Sequence, residues 1–136
     1  MANILVLDDD ELIVATIVRL LKKVGHNVIH AGDGEKGLKA LALMPFDLLL
    51  TDIIMPEKDG IETIIVVRQQ NPAIRIIAMS GGGRIGSTAY LNAAGKLGAN
   101  ATLSKPFTGG DLLAAVEAQI GQAQIGRAPI DQPKAG

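Results

Sequence analysis

Residues 1–14 read MANILVLDDDELIV, an aliphatic run of strand length, then Asp8, Asp9, Asp10 and Glu11 in a row, then apolar residues again. Ile4 to Leu7 are bounded by Asn3 and Asp8, as a short buried strand would be. Ile13, Ile17, Leu20, Leu21 and Val24 follow at helical spacing, and Gly25 stands where that helix should end. The opening is therefore a strand, an acidic turn and a helix. Four adjacent acids repel one another, and three settings offset this: a helix N-terminus, open water or a bound cation.

The same alternation continues outward. Val28–Ala31, Phe46–Thr51, Ile74–Met79 and Ala101–Leu103 are further short apolar runs bounded by Gly, Pro, Asn or Asp. Helical spacing recurs around Leu38, Leu41 and Ala42, around Ile61, Ile64, Ile65 and Arg68, from Tyr90 to Leu97, and at Leu112, Leu113, Val116 and Ile120. Five strands alternating with five helices predict an α/β fold: a doubly wound parallel sheet covered on both faces, with right-handed crossovers.

With 136 residues and 48% hydrophobic content, the chain can bury one core and is short for two. A single globular domain over residues 1–120 is expected, followed by a flexible tail, GQAQIGRAPIDQPKAG, over 121–136. No run approaches the ~18 apolar residues of a membrane span. The N-terminus lacks the pattern of a secretory signal, so a cytoplasmic location is expected. The absence of cysteine excludes disulfides, thiolate metal sites and cysteine nucleophiles. Eleven of the 14 Asp/Glu but six of the 13 Lys/Arg fall in residues 1–62. There is no basic stripe with interleaved aromatics, which argues against direct nucleic-acid binding.

Ligands of open α/β sheets bind beyond the carboxyl ends of the strands. This sequence delivers Asp8 and Asp9 there from strand one and Asp52 of LLLTDIIMP from strand three. Strand four adds Ser80 of IIAMSGGG, and strand five adds Lys105 of TLSKPF. Each has an ordinary reading as a cap, a turn residue or a solvated charge. Their joint placement at four strand ends points to one site. Carboxylates without histidine or thiol suit a hard, oxygen-seeking cation, and magnesium fits few protein ligands better than calcium does.

These residues, with Pro106 and Phe107 after the lysine, are similar to the receiver domain of bacterial two-component response regulators. The resemblance covers about residues 2–120. It implies a flavodoxin-like fold of strand order 2-1-3-4-5 and a cis Lys105–Pro106 bond. It further implies Asp52 as phosphoacceptor, with Asp8, Asp9, Asp52 and the Ile54 backbone carbonyl around Mg²⁺, and Ser80 and Lys105 as the hydroxyl and ammonium that meet the phosphoryl group. A single-domain regulator is implied, phosphorylated by a sensor histidine kinase or histidine phosphotransfer protein. It would signal to a protein target by switching shape, and would catalyse only its own phosphotransfer and dephosphorylation. A relay intermediate that hands phosphate on to a histidine, or an interaction module that never turns phosphate over, are the alternatives.

Thr102 stands where the family usually has an aromatic residue, so a switch dominated by the loop after strand four is expected, with Tyr90 as a surface residue. Ile54 and Gly82 match positions at which the family tunes loss of phosphate, and neither can orient a water, so the resemblance implies slow loss. Gly81, Gly83 and Gly86 satisfy a dinucleotide-binding spacing, which makes a nucleotide-binding α/β domain using the Gly81–Gly86 loop a remote alternative, but they stand outside the first βαβ unit and have no acid about 20 residues on. His26 and His30 flank strand two and read as surface residues. Val14 and Val18 read chiefly as packing beside the first helix's core stripe, and secondarily as a docking face for the donor's helices.

Overall fold

The computed structural model describes residues 2–53, 60–81 and 95–126. The elements run β1 (Asn3–Leu7), α1 (Glu11–Lys23), β2 (Asn27–Ala31), α2 (Gly34–Leu43), β3 (Leu48–Asp52), α3 (Gly60–Gln70), β4 (Arg75–Gly81), β5 (Ala101–Lys105) and α4 (Gly109–Gly126). All neighbouring strands pair in parallel, in the order β2-β1-β3-β4-β5. This is the flavodoxin-like sheet expected from the sequence.

Strand alternation explains why the runs are continuously apolar. Ile4, Val6, Leu48, Leu50, Ile77 and Met79 face α1 and α4, where they meet Ile17, Leu21, Leu112 and Val116. Leu5, Leu7, Leu49, Ile76 and Ala78 face the other way, onto Ile64 and Val67 of α3 and the partly buried Leu38 and Leu41 of α2. Both faces of the central strands are therefore buried, and the polar residues buried there, Thr51, Asp52 and Ser80, stand at the carboxyl ends of β3 and β4.

Gly37 sets the distance between α2 and β1. A Cβ there would lie 2.5 Å from a terminal methyl of Leu7, the residue just before Asp8. Gly37→Val is expected to cost about 1–3 kcal/mol through overpacking, checked by urea denaturation.

Two helices differ from the sequence reading, and a third is described only in part. Of the segment expected from Tyr90 to Leu97, only 95–97 is described, and it is helical; Tyr90 lies outside the described residues. The last helix continues past Ile120 to Gly126, because Ala and Gln there sustain a helix and the next proline comes only at Pro129. The stripe of α1 is Val14, Ile17 and Leu21 rather than one continuing through Val24, which is exposed beyond the helix end. His26 is also corrected: it is buried, its Nδ1 accepting the Ala2 backbone N–H at 3.3 Å and its Nε2 lying 3.3 Å from the Glu117 carboxylate of α4. His30 is exposed, as expected.

Candidate functional site

The four acids after β1 have separate tasks. Asp10 caps α1, its Oδ1 accepting the backbone N–H groups of Leu12 at 3.0 Å and Ile13 at 3.2 Å. Glu11 occupies the first turn, where the helix dipole favours an acid. Asp9 is exposed, whereas Asp8 is only 2% exposed and turns inward. One Asp8 oxygen accepts the Asp10 N–H at 2.9 Å, and the other accepts the Lys105 ammonium at 2.7 Å.

Asp52 ends β3 and is buried beside β1. Its Oδ2 lies 3.4 Å from the Lys105 Nζ, so one lysine faces two carboxylates. Burial disfavours the Lys105 charge, but the Asp8 hydrogen bond and the charges of Asp52 and Asp8 outweigh it and raise the ammonium's pKa above its ordinary value. Carboxylate oxygens of Asp8, Asp9 and Asp52 all lie within 4.8 Å of one another. Among the described residues, three carboxylates gather around one ammonium, an excess of acidic groups. An oxygen-only donor set with that excess fits Mg²⁺.

Ser80 lies on β4, one residue after Met79, the register partner of Asp52. Its side chain is 0% exposed, and its hydroxyl has no hydrogen-bond partner among the described residues. A buried donor without an acceptor is costly unless an incoming group supplies one. Lys105 ends β5 opposite Gly81 of β4. The Lys105–Pro106 peptide is cis, as the resemblance implied. Thr108 and Asp111 then form a reciprocal capping box at the start of α4, with Asp111 N–H to Thr108 Oγ1 at 2.9 Å and Thr108 N–H to Asp111 Oδ2 at 3.1 Å. Thr108→Ala is expected to lower stability by about 1 kcal/mol, read by urea denaturation.

Asp8, Asp9, Asp52 and Lys105 thus converge, with Ser80 on the adjoining strand. Ile54, Gly82, Gly83 and Gly86 lie outside the described residues. Thr102 is exposed on β5. The sequence reading missed the most prominent apolar residue beside the site. Leu12, on the turn of α1 next to Asp8–Asp10, is 79% exposed, while Val14 is buried. The signal was available in principle: with Asp10 as N-cap and Ile17 and Leu21 in the core, Leu12 falls off the core stripe. Clefts flank α1 on both sides. One of about 620 Å³ runs past Val14, Val18 and His30. The other, of about 450 Å³, is bordered by Leu12, Ile13, Lys105 and Phe107.

Residues 4–117 match the family model of the response regulator receiver domain. The Escherichia coli transcriptional regulatory protein CpxR is 37% identical over 118 residues, which are 87% of this chain and 49% of CpxR, so the chain spans about half the length of that relative. The response regulator receiver protein CpdR of Brucella abortus is 35% identical over 88% of this chain and 98% of its own length. A solved receiver domain structure from Clostridium thermocellum superposes with a TM-score of 0.84 at 29% identity, covering 92% of this chain and 98% of that one.

Proposed function

The chain belongs to the response regulator receiver domain family, and from that premise we propose that Asp52 takes a phosphoryl group from a phosphohistidine donor and that the phosphorylated domain signals to a protein partner. The observation that carries this reading is the pairing of a carboxylate cluster around Lys105 with the orphaned, fully buried hydroxyl of Ser80.

An Asp52 oxygen attacks phosphorus, the Asp52–phosphorus bond forms, and the P–N bond of the donor breaks with its electron pair going to the imidazole. The difficulty is bringing one anion to another. Asp8 and Asp9, with Asp52 itself and the Ile54 carbonyl, would hold Mg²⁺. When bound, it would supply positive charge to a phosphoryl oxygen. The Lys105 ammonium would meet a second oxygen, and the Ser80 hydroxyl would donate to a third. Asp8, by holding Lys105 at 2.7 Å, keeps the ammonium in place before phosphate arrives. The domain acts only on its own phosphorylation and dephosphorylation. Residues 2–126 would form the receiver unit, and a cytoplasmic location goes with a kinase donor. Among the described residues no helix is long and apolar enough to cross a membrane.

The exposed Leu12, which borders the cleft past Ile13, Lys105 and Phe107, supports docking of the donor's helices on α1. Leu12→Asp should slow phosphotransfer from the cognate kinase by tenfold or more, while leaving labelling by acetyl phosphate unchanged. Equal loss with both donors would show damage to the site instead. For the reading as a whole, incubation with Mg²⁺ and acetyl phosphate should give a single phosphoryl adduct by intact mass. An unlabelled protein after prolonged incubation would contradict it.

A further inference from the structure

β5 carries Lys105, and none of its residues is buried outright: Ala101 and Leu103 are only partly buried against the core. It lies at the sheet edge, and all five of its residues are partly or fully exposed, whereas all five of β3 are buried. Register is strongly specified where a face is buried and weakly elsewhere. A slip of β5 along β4 would move the ammonium away from Asp8 and Asp52. A further constraint on β5 lies at the opposite end of the strand, in a hydrogen-bond network around Arg68 and Asn100.

Arg68 of α3 donates to Gly98 O from Nε at 3.3 Å and from Nη2 at 2.7 Å, and Nη2 also donates to Asn100 Oδ1 at 2.9 Å. Its Nη1 lies within 2.6 Å of Ile74 O, 2.9 Å of Pro72 O and 3.5 Å of Asn71 O. Asn100 in turn grips β4 at two points: its N–H donates to Ile76 O at 2.7 Å, and its Oδ1 accepts the Ile76 N–H at 2.8 Å. Gly98 has φ +137°, and a Cβ there would meet Arg68 Cγ at 3.2 Å, so glycine permits the close approach. Among the described residues these acceptors are all neutral oxygens, which suits bracing of backbone rather than charge pairing.

We infer that Arg68, acting through Asn100, is a positioning residue for Lys105: it locks the entry of β5 against β4 and so sets the height of the ammonium about 13 Å further along the strand, at ~3.3 Å per residue. This rests on the proposed phosphoacceptor function, but the bracing itself is separable from it. The carboxylates come from β1 and β3, which Arg68 does not hold, so metal binding and phosphoryl capture should respond differently.

The test compares wild type with Arg68→Lys and Asn100→Ala, and takes Thr108→Ala as a control destabilised without touching this network. Lysine keeps the charge but not the planar fork, so it should not rescue. Expected are a Mg²⁺ affinity within twofold of wild type, an acetyl phosphate labelling rate at saturating Mg²⁺ reduced about tenfold, and at least tenfold faster amide exchange over 101–105 in unlabelled protein. Unchanged exchange over 101–105 in both variants, or a labelling loss no greater than in the control, would overturn the inference. Failure of wild type itself to label would count against the phosphoacceptor reading, and the exchange comparison would still decide the bracing. Should Arg68→Lys not fold, Asn100→Ala carries the same comparison.

Discussion

Asp52→Asn should take up no phosphoryl group from acetyl phosphate or from a phosphohistidine donor, at any Mg²⁺ concentration and over any practical incubation. The substitution keeps the shape of the side chain and removes the anionic oxygen that must form the bond to phosphorus, and an amide oxygen is a far weaker nucleophile. A loss of at least ~10³-fold is expected, read as absence of the adduct by intact mass. The same change has an opposite effect on stability. Carboxylate oxygens of Asp8, Asp9 and Asp52 lie within 4.8 Å of one another, and neutralising one carboxylate removes part of their mutual repulsion. In the absence of Mg²⁺, Asp52→Asn should therefore be more stable than wild type by about 1 kcal/mol in urea. Wild type should recover the difference with metal, since a ligand at 100 times its Kd stabilises by about 2.7 kcal/mol. The variant should gain less.

Lys105→Met is expected to lose both stability and phosphoryl capture, with only the first restored by metal. The Asp8 side chain is fully buried and Lys105 is its 2.7 Å partner. Removing one member of a buried ion pair costs about 3–5 kcal/mol because the other charge is left uncompensated. Saturating Mg²⁺ should return much of that by neutralising Asp8 and Asp52. It should not return the phosphotransfer rate, which should stay about 10²–10³-fold down because a phosphoryl oxygen has lost its donor. Urea denaturation with and without Mg²⁺, beside labelling rates by mass, separates the two. The sign of the pH dependence follows from the raised Lys105 pKa. The ammonium's contribution should be complete below the ordinary lysine value near ~10.4 and decline only as pH rises through the higher folded value.

Much of the fold was legible because the central parallel strands are buried on both faces. A run such as LLLTD, residues 48–52, needs no tertiary information to be read as central strand. The convergence of Asp8, Asp52 and Lys105 was legible for a related reason: each sits where its apolar run ends. What the sequence concealed depends on partners distant along the chain. His26 looked like a surface residue because nothing near it in sequence reveals that Ala2, 24 positions away, and Glu117, 91 away, supply its hydrogen-bond partners. Arg68 read as part of a helical stripe, whereas its acceptors Gly98 and Asn100 lie 30 and 32 residues on. Lys105 was expected in one site with the carboxylates, as the ammonium that meets the phosphoryl group. Its ion pair with Asp8 in the unphosphorylated domain required coordinates, because the side chain's reach depends on strand register and not on its position in sequence.

The most direct measurement is chemical mapping of the modified residue in the unaltered protein. After incubation with Mg²⁺ and acetyl phosphate, borohydride reduces an aspartyl phosphate to homoserine, and peptide mass spectrometry locates it. Homoserine at position 52 alone, absent when the metal is chelated, is the predicted result. Homoserine at another position, or label at 52 that forms equally well without metal, would contradict the assignment of Asp52 as a metal-assisted phosphoacceptor.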